Sequence, residues 1–194
     1  MNSNQRAPSP FLPFGLILYF LILLVRTFAY SVEVFLRRRF GIRYGALESG
    51  LVLLLVPVYA AYWEGHDVRP LAWFLMAYAV VCVFHRLGCM FRSRRSPIPR
   101  TYTGWPRLAT LLPWLSEKTL KLYVEPFAVV GLALLFRTAN PPLCIYLCIA
   151  GYCLMIHSFS LDQNLDREAS DMYDRAARQQ AVVERFREKY GDRF

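Results

Sequence analysis

Six ionisable residues lie within or at the ends of long apolar runs: Glu48, His85, Arg86, Lys121, Glu125 and His157. Charged side chains are costly in hydrocarbon, so each needs a partner, a watery path or a task. Lys121 and Glu125 are four residues apart and are expected to pair on one helical face. Arg26 and Glu33, seven apart, also share a face. Glu48 has no local partner, and Arg86 at a matching depth is the expected one. Such pairs either fasten short helices together or form a proton or ion path, for which Glu48 and Glu125 are the candidates. A metal site from His85, His157 and the two glutamates is disfavoured, because no two of them have ligand spacing within one helix.

The remaining reactive side chains offer less chemistry. Cys82, Cys89, Cys144, Cys148 and Cys153 all fall in apolar runs and form no CxxC, so they read as small packing residues. Asp162, Asp166 and Asp171 resemble a cluster that holds Mg²⁺-diphosphate, but no second cluster accompanies them. There is no GxSxG, HExxH, P-loop or GxGxxG. No catalytic, cofactor-binding or metal residues are expected, and the chain does not read as an enzyme.

The elements that carry these residues are apolar. Of 194 residues, 56% are hydrophobic and 19% charged, with a mean hydropathy of +0.28. Soluble domains run to roughly 45–50% and 25%, so the composition is that of a membrane protein. It excludes a disordered chain and makes direct nucleic-acid binding unexpected, although the net charge is +9. A helix needs about 20 mostly apolar residues to cross a bilayer. Five stretches approach that length, at about 11–36, 47–63, 70–91, 120–137 and 142–160. The expected fold is therefore all-α and polytopic, with four to five transmembrane helices. Two hairpins follow an N-terminal hydrophobic helix, and residues 1–10 stand outside as a disordered N-terminus. The first segment either spans or lies in the interface, since Pro8, Pro10 and Pro13 break its start.

The positive charge is concentrated. Arg37, Arg38, Arg39 and Arg43 give +4 in the loop at about 37–46. Residues 92–118 carry Arg92, Arg94, Arg95, Arg100, Arg107 and Lys118 against one Glu, a balance of +5. The connections Glu64–Arg69 and Thr138–Pro142 are short and nearly uncharged. Basic loops stay on the cytoplasmic side, which makes this a multi-pass protein of the plasma (inner) membrane with a cytoplasmic C-terminus. The same arginines would attract anionic lipids. Within the second loop, Leu108, Leu111, Leu112 and Leu115 fall on one helical face between Trp105 and Trp114, so a helix lying on the inner leaflet is expected there.

After Ser160 the composition inverts, with eight acidic and seven basic residues over 161–194. Leu165, Ala169, Met172, Ala176, Gln179, Val183, Phe186 and Tyr190 alternate spacings of four and three, a heptad seam with one polar interruption. Ser160 or Asp162 would cap this tail helix unless it continues from the fifth span, and Gly191 is placed to end it. The seam suits another membrane or cytoplasmic subunit, or a second copy in a homo-oligomer. Together these features read as an accessory or assembly subunit of a larger membrane complex, with secretion or DNA-transfer machinery as one setting that fits. A small oligomeric transporter or channel using Glu48 and Glu125 is the alternative, and a lipid-modifying membrane enzyme the third.

Overall fold

The structure is a computed structural model that describes residues 12–41, 44–93 and 103–191. Helix α1 (Leu12–Leu36) leads into a two-residue strand β1 (Arg37–Arg38), followed by α2 (Ala46–Ala61) and α3 (Arg69–Ser93). A second strand β2 (Trp105–Pro106) opens a 3-10 turn (Arg107–Thr110). Then α4 (Glu117–Thr119), a π turn (Leu120–Val124) and α5 (Glu125–Leu135) follow without a break, and α6 runs from Pro141 to Tyr190. Among the described residues, three helices are long and apolar enough to cross a membrane: Gly15–Leu36, Arg69–Phe91 and Pro141–Lys189. Helix α2 is apolar but shorter, and α5 reaches span length only when the π turn and α4 are counted with it. The fold is thus all-helical with three such helices among the described residues, where four to five spans are expected from hydropathy.

The chain forms two compact units, Met1–His157 and Ser158–Phe194. In the first, the core gathers small and aromatic side chains from every long helix, including Ala29, Val52, Val56, Leu71, Tyr78, Ala133, Tyr146 and Ala150. Tyr146 is its aromatic centre, with ring centroids of Phe28, Tyr59 and Phe74 at 5.5, 5.3 and 5.4 Å. Burial against other helices lets polar groups survive here. Thr27 and Ser31 return their hydroxyls to carbonyls of their own helix at 2.7 Å. Helices α5 and α6 approach closely at Gly151, where a Cβ would come within 2.9 Å of Val130 Cγ2.

Two features set the positions of the polar residues. At one end, Asn140 Nδ2 donates to the Asp67 carbonyl (2.7 Å), tying the two short loops together, and Tyr59 OH donates to the Pro142 carbonyl (3.0 Å), joining α2 to the start of α6. Elsewhere β1 pairs antiparallel with β2, Arg37 opposite Pro106 and Arg38 opposite Trp105, fixing the end of α1 against the second basic segment. The π turn has a local cause. Pro126 lacks an N–H, and in an unbroken α-helix its ring would meet the carbonyl of Leu122. Widening the helix at Leu120–Val124 relieves that clash and re-aims the residues on either side.

The helix expected over Trp105–Leu115 is absent. Only Arg107–Thr110 turns, as a 3-10 segment. Pro106 precedes that segment in an extended conformation, and Pro113 disfavours helix at Leu112 before it. The tail helix has no start of its own at Ser160 or Asp162, because α6 is continuous from Pro141. It ends at Tyr190, directly before Gly191.

Candidate functional site

The most concentrated chemistry in the first unit is a buried ionic cluster. Glu33 lies four residues before Arg37, one helical turn from β1, and its Oε1 accepts from Arg37 Nη1 at 2.7 Å. Arg37 Nε donates to Glu125 Oε2, also at 2.7 Å, across 88 residues of sequence. All three are essentially sealed, with exposures of 0% for Glu33, 1% for Arg37 and 0% for Glu125. Tyr44 OH donates to Glu33 Oε2 (2.7 Å) and lies 3.3 Å from His157 Nε2. A phenol has one proton. With it committed to Glu33, the His157 nitrogen supplies the proton of the second contact.

The electrostatics follow from the burial. Burial alone would weaken the charge on Arg37, but the Glu33 and Glu125 carboxylates outweigh it and hold the guanidinium above its ordinary pKa. Burial and the neighbouring Glu33 push the Tyr44 phenol well above the ordinary tyrosine range, so it remains a donor. Glu125 Oε1 is buried and has no hydrogen-bond partner among the described residues. The cluster holds two carboxylates against one guanidinium, and charge-assisted pairs of this kind are strong only while they stay intact.

Its access is fixed by the turn before α2. Gly45 has φ 65°, and a Cβ there would collide with the Tyr30 ring. The turn therefore requires glycine twice over, for its left-handed backbone and for the aromatic group packed on it. Phe40 stacks on Tyr44 with centroids 5.6 Å apart and meets His85 edge-on at 5.1 Å. A cavity of about 510 Å³ opens beside this group, between the turn and the His85–Phe91 part of α3.

The structure rearranges most of the expected pairs. Arg26 reaches Glu48 (2.8 Å) and not Glu33. Arg86 sits at Ser49 Oγ (3.4 Å) and not at Glu48. Lys121 turns back to Glu117 (2.6 Å), while Glu125 takes Arg37, because the π turn lies between Lys121 and Glu125 and changes their facing. His85 Nε2 is 3.1 Å from the Val34 carbonyl. His157 joins Tyr44.

Arg37 is the main correction among the basic residues. Assigned with its neighbours to topology and lipid, it is instead consumed by the cluster and is not available to headgroups. Arg38, Arg39 and Arg107 are exposed. Arg43, Arg94, Arg95 and Arg100, and the side chain of Arg92, lie outside the described residues. Residues missed by sequence reasoning are Tyr44 and the Glu33–Arg37 pair. The latter had a signal, an acid and a base at i,i+4.

In the second unit the seam residues Leu165, Met172, Val183 and Phe186 are 64%, 65%, 54% and 59% exposed. Ala169 and Ala176 are exposed too, and the side chain of Tyr190 is outside the described set. The five cysteines are free thiols, and among the described residues no group of His, Cys, Asp or Glu is placed to hold a metal ion. No protein-family model, no curated protein and no solved structure matches the chain.

Proposed function

We propose that this chain is an integral membrane accessory subunit, held in the inner membrane by its first unit and docking a partner through its helical tail. The observation that carries the reading is the tail seam. Four large apolar side chains on one stripe are each more than half exposed along a tail rich in charged residues, with Tyr173 and Val182 exposed beside them, which is the pattern of a helix that buries its stripe on another helix. The partner is a helical segment with a complementary apolar face, on another subunit or on a second copy. The basic segments at 37–46 and 92–119 favour a cytoplasmic location for the tail.

The state of the acids supports a supporting role over transport. Glu48 and Glu125, the residues a proton or ion path would use, both end in ion pairs with arginines. The Glu125 partner Arg37 is sealed, so that carboxylate is costly to uncouple from its cation, whereas Glu48 pairs with a half-exposed Arg26. Catalysis has no comparable set of residues behind it.

Purification of the full chain in mild detergent tests the reading. The partner should co-purify with the wild type and be lost from Met172→Asp and Val183→Asp, while helicity and the elution position of the membrane unit stay unchanged. Partners retained by both variants would contradict it. Flux in liposomes that falls in Glu48→Gln would favour the transporter instead.

A further inference from the structure

A second pocket, of about 400 Å³, lies between the β1–β2 region and α3. Three cations line it, Arg38, Arg39 and Arg107, and its floor is the α3 face carrying Val81, Phe84 and Gly88. The ladder explains the convergence. Arg38 pairs with Trp105, and in this antiparallel register Arg107, two residues on, falls beside the start of β1, diagonally across from Arg38. Arg37, one position earlier on the strand, points into the buried cluster. Alternation along the strand sends Arg38 to the opposite side. Arg39 then turns with φ 66°, a left-handed backbone that is strained for a side chain of this size. Among the described residues, no carboxylate forms an ion pair with any of the three. Like charges brought together without a counter-charge raise the energy of the empty site, and an anion relieves it.

The walls of the pocket narrow the choice of anion. The membrane-crossing window of α3 is only 6% buried within the protein, and Phe84 on the pocket floor is 70% exposed. That surface faces hydrocarbon in a bilayer. Trp105, partner of Arg38 and 40% exposed, marks the headgroup level at which indoles settle. A ligand matching both halves has a phosphate at the arginines and an acyl chain along α3.

We infer that Arg38, Arg39 and Arg107 form a binding site for the headgroup phosphate of an anionic phospholipid, whose chain lies over Phe84 and Gly88. The site rests on the chain residing in a bilayer and is independent of what the tail binds.

The test uses the full chain in nanodiscs of phosphatidylcholine with or without phosphatidylglycerol, with retained lipid counted by native mass spectrometry after transfer to detergent. The wild type should retain phosphatidylglycerol over phosphatidylcholine. Arg107→Gln should weaken retention by about fivefold and the triple glutamine variant by about a hundredfold, following the loss of about 1 kcal/mol per basic residue. Gly88→Leu removes no charge and has open space for its side chain, so it should fold normally and still weaken retention by filling the floor. Several results would overturn the site. Equal retention of the two lipids would do so, as would full binding by the triple variant. Loss in the arginine variants with full binding by Gly88→Leu would mean diffuse attraction and no pocket. Displacement of the lipid by millimolar inorganic phosphate would identify a free anion as the ligand. Failure to enter nanodiscs at all would remove the membrane reading itself, a separate outcome.

Discussion

Arg37 and Arg38 are adjacent in a run of three arginines, yet one is sealed between two carboxylates and the other lines an open pocket with no acid among its described lining residues. The first behaves as part of the core and the second as part of the surface. What separates them is the ladder with Trp105–Pro106, which gives the strand two sides. The lesson is that a basic run is not one feature. Each side chain is assigned by what the backbone brings opposite it.

The largest effect should come from breaking the sealed side. Arg37→Gln leaves Glu33 and Glu125 buried without their cation and should cost about 3–5 kcal/mol, measured by denaturant unfolding in detergent micelles. Replacing Glu33 by Gln, Arg37 by Met and Glu125 by Gln together should cost clearly less than Arg37→Gln alone, since no buried charge is then left unpaired. If the triple change is the worse of the two, the cluster is not electrostatically coupled.

A smaller loss is expected from the turn that closes the cluster. Gly45→Ala forces both a left-handed φ and a collision with Tyr30, and should cost about 2–3 kcal/mol. Tyr44→Phe removes the donor to Glu33 Oε2 and should cost about 1.5–2 kcal/mol. Its pH dependence is also informative. The Tyr44 pKa is raised on folding, so its contribution is complete below the unfolded tyrosine value of about 10 and declines as pH rises beyond it. The phenylalanine variant should lack that part of the alkaline decline in melting temperature.

The smallest stability effect should come from the open side. Arg38→Gln and Arg107→Gln should change unfolding by about 0.5 kcal/mol or less in phosphatidylcholine, because neither has an ion pair to lose among the described residues. A loss comparable to Arg37→Gln would erase the distinction between the two sides.

Much of the architecture was legible because hydropathy and charge act over many residues. The apolar runs of α1, α3 and the first part of α6, the two near-neutral loops and the stop at Gly191 all follow from pattern. The site was less legible because it depends on single contacts across long separations. Glu125 finds Arg37 only after the π turn at Pro126 re-aims it. Tyr44 looks like any aromatic near a helix start until α6 brings His157 to it. The Glu33–Arg37 spacing was the one local clue, hidden because Arg37 shares its type with the next two residues. Over Trp105–Leu115 the leucine periodicity outweighed two prolines on paper, whereas the backbone obeyed the prolines.

The division of the arginines is the centre of this account, and one comparison tests it most directly. Unfolding midpoints are measured for wild type, Arg37→Gln and the Arg38/Arg39/Arg107 triple glutamine variant, in nanodiscs of phosphatidylcholine alone and with added phosphatidylglycerol. The account predicts that phosphatidylglycerol raises the wild-type midpoint, that Arg37→Gln starts far lower but keeps the increment, and that the triple variant starts near wild type but loses the increment. If the two variants lose baseline and increment together, the arginines form one system and the account is wrong.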